Sequence, residues 1–279
     1  LVTSVGESHI EGVGSIEGVA RAKGELLRSL SADCMAFYPS DIAHKDILCE
    51  GVLASQFTVG EHQNDLVRIS KTTETDKGVD AQVVIDSVEY TVRMSMRGRH
   101  NLDNACLALA VVSHLELDIS MALAALSQLA PPAMRGELRY LQNGSEITLD
   151  CYNANPSSMI DSINFFSSSN AEVDKLYVLG GMEELGENER VLHSKVGRGL
   201  RLDSNDLVIL IGKKAGWMAD GILESRAREE QIIILPDRES AASIIEDFQG
   251  AVFFKGSRSA KLETLVPSWA VEPQDHNSN

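Results

Sequence analysis

The sequence predicts an α/β protein of two domains, the second built on a mainly parallel sheet. Three observations carry that expectation. From residue 147 onward, short apolar runs alternate with helical stretches of about 10–15 residues, the rhythm of βαβ units. Between Gln56 and Met96, apolar and polar residues alternate, which marks antiparallel strands with one solvated face. Pro131-Pro132 separates the two regimes, since proline stops a helix and brings no N–H to a ladder. The expected domains are residues 1–131 and 132–279, a fair division at roughly 100–200 residues per domain.

Each element follows in order. Leu1-Val2-Thr3-Ser4-Val5 reads as a buried strand ending at Gly6, and a glycine-punctuated loop runs on to Gly14. Ser15 stands where a helix cap belongs, with Ile16, Val19, Ala20, Leu26 and Leu27 on the helix it starts. Cys34 to Tyr38 is a short apolar strand. Ala81-Gln82-Val83-Val84-Ile85 and Tyr90-Thr91-Val92-Arg93-Met94 supply antiparallel strands, and Arg97-Gly98-Arg99 ends them. A long helix starts near Asn101, and a second covers Ile119 to Leu129. Beyond the boundary the strands are 147–149, 176–179, 207–211, 232–235 and 252–254. The tail from Pro273 is polar and expected to fray.

Composition removes several function classes. Hydrophobic residues make up 43% and charged residues 24%, so a packed core is expected. The formal charge of −16 is spread along the chain and argues against nucleic acid or an anionic membrane as partner, because both want a basic face. Cys34, Cys49, Cys106 and Cys151 lie far apart without a CxxC pair, which speaks against a zinc knuckle or disulfide framework and for a reducing compartment. No apolar run approaches the roughly 18 residues of a membrane span. The chain opens at Leu1 inside a strand-like stretch, which reads as a fragment.

Five constellations could carry chemistry, and each has a plainer reading. His9 lies in a loop after the first strand, and Lys23 follows fourteen residues later on the next helix. As an ammonium, lysine has no lone pair for a metal and ligates only after conversion to a carbamate. Otherwise the two are a loop histidine and a surface lysine. His100, Asn101 and Asn104 open the long helix, as caps or as edges that hold a planar base. Asp150 ends a strand in Asp150-Cys151-Tyr152-Asn153-Ala154-Asn155-Pro156, where an acid accepts from a sugar hydroxyl pair in doubly wound folds. The plainer reading of Asn155 is a cap on the helix that Pro156 begins. Gly180-Gly181 at a strand end permits a tight turn or a close ligand, with His193 on the next helix. Lys255-Gly256-Ser257-Arg258 carries a strand into a cationic turn, which makes it an anion site or a solvated basic patch.

There is no GxxxxGK[ST] phosphate loop, GxGxxG fingerprint, GxSxG elbow or HExxH pair. Hydrolase and dehydrogenase readings therefore have nothing to rest on.

Taken together and in order, HIEGVGSIEGVARAKGEL, GRHNLDNACLALA, LDCYNANPSSM, LGGMEELGENERVLH and FKGSRSAKLE resemble the Mur ligases. The likeness covers Leu1 to Val266. It is strongest to the members that join D-alanyl-D-alanine to UDP-N-acetylmuramoyl-tripeptide. The resemblance implies the latter part of a P-loop-type central domain, followed by a Rossmann-like C-terminal domain. It also implies a monomeric cytoplasmic ligase that uses ATP and Mg2+ through an acyl phosphate, in peptidoglycan precursor synthesis. His9 then falls on a Mg2+ ligand and Lys23 on a carbamylated lysine serving the same metal region. His100, Asn101 and Asn104 fall on the stretch that flanks adenine. Arg135 falls on the arginine that reaches the nucleotide from the domain boundary. Asp150 falls on the acid that holds the ribose, with Tyr152, Asn153 and Asn155 on the face beside it. Lys255, Ser257 and Arg258 fall where the incoming dipeptide and its carboxylate are handled.

Three departures stand out. Gly181 replaces an acid, Gly136 interrupts the usual Arg-Leu-Glu order after Arg135, and the phosphate loop with its acidic metal ligand is missing. Without that loop, this chain alone is expected to bind ATP poorly and not to turn over. The competing readings are a sister amino-acid ligase of the same superfamily and a non-catalytic ligand-binding module.

Overall fold

The structure is a computed structural model and describes residues 1–7, 10–75, 78–96, 98–130, 132–141, 143–267 and 270. The chain divides into two compact units, Leu1–Pro131 and Pro132–Asn279.

The first unit runs α1 (Ile10–Val13), α2 (Ile16–Arg28), β1 (Met35–Pro39), α3 (Lys45–Cys49), β2 (Ser55–Gly60), β3 (Val67–Thr75), β4 (Gly78–Ile85), β5 (Val88–Met94), α4 (Arg99–His114) and α5 (Ile119–Gln128). Ser15 caps α2 through a 3.1 Å bond from Gly18 N to its Oγ. The helix buries Val19, Ala20 and Leu27. The described strands form a sheet in the order β1-β2-β3-β4-β5, parallel across the first three and antiparallel across the last three. Asp86 and Ser87, both at positive φ, close the β4–β5 hairpin as a two-residue turn whose twist suits the strands. Alternation along β4 buries Val79, Ala81, Val83 and Ile85, in one core with Leu102, Cys106 and Leu109 of α4.

Two expectations for this unit fail. Residues 1–5 form no strand: Val2 and Val5 are buried and Val2 N bonds Phe37 O at 2.9 Å, but Leu1, Thr3 and Ser4 are exposed. Two buried side chains anchor the stretch without a ladder. The region from Gln56 is also not uniformly antiparallel. Because α3 carries the chain over between β1 and β2, those two strands run the same way.

The second unit runs β6 (Glu137–Tyr140), β7 (Glu146–Asp150), α6 (Pro156–Ser169), β8 (Lys175–Gly180), α7 (Glu189–Gly199), β9 (Leu207–Ile211), α8 (Gly212–Gly216), α9 (Met218–Glu224), β10 (Ile232–Leu235), α10 (Ala242–Asp247) and β11 (Ala251–Lys255). Strand order is β10-β9-β8-β11-β7-β6, parallel except at the β6 edge. β6 escaped the sequence reading because Glu-Leu-Arg-Tyr has no apolar run. β8 and β11 are buried throughout, as central strands covered on both faces must be.

The helices divide between those faces. Met159 and Phe166 of α6, Val196 of α7 and Ile222 of α9 pack with Tyr177, Leu179, Leu210 and Phe253. Ile245 of α10, with Leu262 and Leu265 after β11, packs with Val178, Ile209, Val252 and Phe254 on the other. Chain leaving β7 or β8 therefore turns to one face, and chain leaving β11 turns to the opposite one. Since β11 lies between β7 and β8, a switch point flanks it on each side. At such points crevices open beyond the C-terminal strand ends.

Candidate functional site

The first switch point lies between the ends of β7 and β11. Parallel register sets Asp150 directly beside Lys255. Lys255 Nζ donates to Asp150 Oδ2 at 2.6 Å and its side chain is 3% exposed, against 20% for Asp150. Ser162, two turns into α6, donates to the same Oδ2 at 2.7 Å. Asp150 Oδ1 accepts from none of the described residues.

The loop that follows is held by its own sequence. Asn155 caps α6: its Oδ1 accepts from Ser158 N at 2.9 Å, and Ser158 Oγ accepts from Asn155 N at 3.1 Å, a reciprocal capping pair. The plainer reading of Asn155 is thus what the structure shows. Asn153 Oδ1 accepts from Ala154 N at 2.9 Å. Tyr152 is exposed, and the Arg135 guanidinium lies 4.4 Å over its ring, a cation–π contact. Tyr152 N also bonds Met134 O at 3.2 Å, tying the Met134-Arg135-Gly136 turn to this loop. Burial pushes the Cys151 thiol up to about 12, so it is inert.

The second switch point lies between β8 and β11. The strand ends touch backbone to backbone: a Cβ on Gly256 would meet Gly180 Cα at 2.8 Å, and a Cβ on Gly180 would meet the Ala260 Cβ at 2.8 Å. Ser257 N donates to Gly181 O at 2.9 Å, and Ser257 Oγ accepts from Glu183 N at 3.0 Å. Lys214, at the start of α8, donates to Glu183 at 2.5 Å and pairs with Glu189 at 3.1 Å. Ser259 Oγ donates to Glu183 Oε1 at 3.0 Å. Burial pushes the Glu183 carboxyl up, but the Lys214 ammonium and the Ser259 hydroxyl outweigh it and hold it below the usual range.

His193 on α7 is buried beneath this loop. Its Nε2 lies 2.9 Å from Met182 N, which can only donate, so Nδ1 carries the proton and donates to Glu189 O at 2.6 Å. The ring is therefore neutral, and burial pushes its pKa down. Arg258 pairs with Glu263, which raises the guanidinium pKa.

In the first unit, Lys23 is half-buried on α2 and its Nζ donates to Ser4 O at 2.7 Å. Burial pushes its pKa down. His9 lies outside the described residues. His100, Asn101 and Asn104 occupy the first two turns of α4. Neither asparagine caps it, because Gly98 takes the N-cap position without a side-chain bond. Arg99 beside them is spent on Glu61 at 2.6 Å and Asp103 at 2.8 Å.

The structure thus gathers Arg135, Asp150, Tyr152 and Lys255 at one switch point, and Ser257 at the other. Sequence reasoning missed Ser162, Glu183, Lys214, Ser259 and Glu263. Lys214 carried a usable signal, since it lies three residues past the apolar run 207–211. Among the described residues no group of three or more His, Cys, Asp or Glu side chains could hold a metal, and no described helix is long and apolar enough to cross a membrane.

Residues 1–112 match the family model of the Mur ligase middle domain, and residues 134–258 match that of the Mur ligase glutamate ligase domain. The chain is 29% identical over 275 residues to UDP-N-acetylmuramoyl-tripeptide–D-alanyl-D-alanine ligase of Bacillus subtilis, covering 98% of this chain and 59% of that protein. The enzyme of the same name in Haemophilus influenzae is 26% identical, over 96% of this chain and 58% of that one. This chain therefore spans under two thirds of either relative. In fold it is similar to MurF from Acinetobacter baumannii, with a TM-score of 0.81 at 23% identity, over 94% of this chain and 57% of that one. MurF from Thermotoga maritima in complex with ADP gives 0.75 at 22%, over 94% and 58%.

Proposed function

This chain belongs to the Mur ligase family, and we propose that it serves the ATP-dependent joining of D-alanyl-D-alanine to UDP-N-acetylmuramoyl-tripeptide in peptidoglycan precursor synthesis. Relatives bearing that activity in their names, aligned over nearly the whole chain, support the reading. The cytoplasm is the compartment it implies.

The observation that carries it is the side-chain cluster at the ends of β7 and β11. Asp150 offers one clamped and one open carboxylate oxygen at a strand end, beside an exposed ring covered by a guanidinium. An open carboxylate oxygen suits a ribose hydroxyl pair, and the Arg135–Tyr152 stack suits the phosphate side of a nucleotide. ATP, when bound, supplies the phosphoryl group that activates the substrate carboxylate. His100, Asn101 and Asn104 are assigned to adenine, Tyr152, Asn153 and Asn155 to the loop facing the nucleotide, and Ser257 with Arg258 to the dipeptide. Mg2+ fits only partly on this chain. His9 offers a ring nitrogen. Lys23 becomes a ligand only as a carbamate, which forms from the neutral amine that burial favours.

The test is D-alanyl-D-alanine-dependent phosphate release from ATP with UDP-N-acetylmuramoyl-tripeptide and Mg2+. These 279 residues hold no GxxxxGK[ST] run, so it is run on this chain and on a form extended upstream through a phosphate loop. Dipeptide-dependent release from the extended form, lost in Lys23→Ala, is the expected result. Release that depends on a single amino acid instead would move the chain to a sister ligase. ATP binding without any amine-dependent release would sink the ligase reading.

A further inference from the structure

We propose that Lys255 is a positioning residue for the nucleotide ribose, acting through Asp150, and not a ligand of the incoming dipeptide. The inference rests on the nucleotide reading of Asp150. Lys255 ends β11 with its ammonium almost wholly buried and 2.6 Å from Asp150 Oδ2. For it to take a substrate carboxylate, that second carboxylate would have to come within reach of the same Nζ, against the charge of Asp150. Otherwise Lys255 would have to leave Asp150 and strand a partly buried acid, and removing one partner from such a pair is costly.

Two donors converge on one oxygen. Lys255 Nζ and Ser162 Oγ both bond Oδ2, from opposite neighbours: one on β11, the other on α6. They fix the rotation of the carboxyl group and leave Oδ1 as the oxygen free to accept. A ribose hydroxyl pair needs an acceptor in one place, and a carboxylate held at one oxygen supplies it without ordering on binding. Lys255 also cancels the charge of Asp150. A bare acid at a nucleotide site would repel the polyphosphate, whereas the pair is neutral overall and keeps the open lone pairs.

The test is isothermal titration of ADP and 2′,3′-dideoxy-ADP into the chain extended upstream through a phosphate loop, unaltered and as Lys255→Met, Ser162→Ala and Asp150→Asn, each checked for folding by circular dichroism. Hydrogen bonds to a charged group predict that the unaltered chain prefers ADP by about tenfold to a hundredfold. The preference should vanish in Asp150→Asn, shrink to about threefold or less in Lys255→Met, and be intermediate in Ser162→Ala. If Lys255→Met does not fold, Ser162→Ala decides alone, since its partner keeps the ion pair. A folded variant of either residue that retains the full preference overturns the inference. So does a raised KM for D-alanyl-D-alanine in Lys255→Met with ribose preference intact, and so does an unaltered chain with no preference. Absence of dipeptide-dependent phosphate release beside an intact, Lys255-dependent preference would defeat the ligase reading and leave the ribose clamp standing.

Discussion

Two lysines in the second unit are almost equally buried and do different things. Lys175 begins β8 and is 2% exposed; Lys255 ends β11 and is 3% exposed. Lys175 Nζ lies 3.0 Å from Asp203 and 3.4 Å from Asp206. Asp206 is as buried as the lysine, and backbone satisfies both of its oxygens: Lys175 N at 2.9 Å and Asp203 N at 2.9 Å. Gln231 Nε2 closes the group by donating to the carbonyls of Asp203 and Asp206. Asp206 keeps no oxygen for a ligand, and Asp203 is 77% exposed and lies open to solvent. At Lys255 the acid partner is 20% exposed and has one oxygen unspent. Burial of a charge therefore does not mark a site. What sets Lys255 apart is a partly buried partner with an unused hydrogen-bonding valence, at the kind of strand end where ligands bind in open α/β sheets.

The largest effect should come from opening the closed pair. Asp206→Ala removes a buried carboxylate, leaves two backbone N–H groups unpaired and leaves Lys175 with the exposed Asp203 and the Val173 carbonyl. Burial alone would push the Lys175 ammonium down, and Asp203 and Asp206 outweigh it and hold it up. Breaking a buried pair from one side costs about 3–5 kcal/mol. Urea unfolding should show that loss, with ribose preference unchanged in whatever fraction remains folded. Lys255→Met should cost less, about 1–3 kcal/mol, because water still reaches Asp150. The comparison breaks if Lys255→Met proves the more destabilising of the two, or if Asp206→Ala alters ribose preference.

Next in size is a pH effect beside the β8–β11 ends. His193 is neutral in the fold, faced by Glu189 of its own helix, Lys214 of α8 and Glu183 of the loop above. Burial holds its pKa below the ordinary value of about 6.5, so the unfolded chain takes up the proton first. Its contribution is complete above about pH 6.5 and is lost as pH falls towards the lower folded value. Stability should drop by up to about 1.4 kcal/mol per pH unit in that window. His193→Gln should flatten the slope between pH 7.5 and 5.5 in urea titrations. An unchanged slope would mean that the Met182 N–H bond does not depend on a neutral ring.

Much of this was legible in the chain, and what was not has a physical cause. Central strands announced themselves because both faces are covered: Leu207 to Ile211 and Val252 to Phe254 are unbroken apolar runs. Asp150 could be read as a strand-end acid and Asn155 as a cap, since both depend on near neighbours. The partnership of Asp150 with Lys255 could not be read, because the two are 105 positions apart and meet only through the β7–β11 register. For the same reason Lys255 looked like a free cation in a glycine-containing turn. Nothing in the sequence sets Ser162 apart from the other serines of α6. Leu1 to Val5 failed in the other direction: its composition suits a strand, yet only Val2 and Val5 find a core.

The smallest expected effect concerns a third lysine. Lys214 is 35% exposed and bracketed by Glu183 and Glu189, which raise its pKa. Its geometry is as close as that of Lys255, but solvent screens it and salt weakens it. Lys214→Met should cost no more than about 1 kcal/mol, and the difference should fade between 0.05 and 0.5 M salt, where the Asp206→Ala loss should persist. Short distance is shared by all three lysines, so distance cannot rank them. If Lys214→Met cost as much as Lys255→Met and resisted salt, solvent exposure would have no claim to rank them either, and the contrast between closed and open pairs would need another basis.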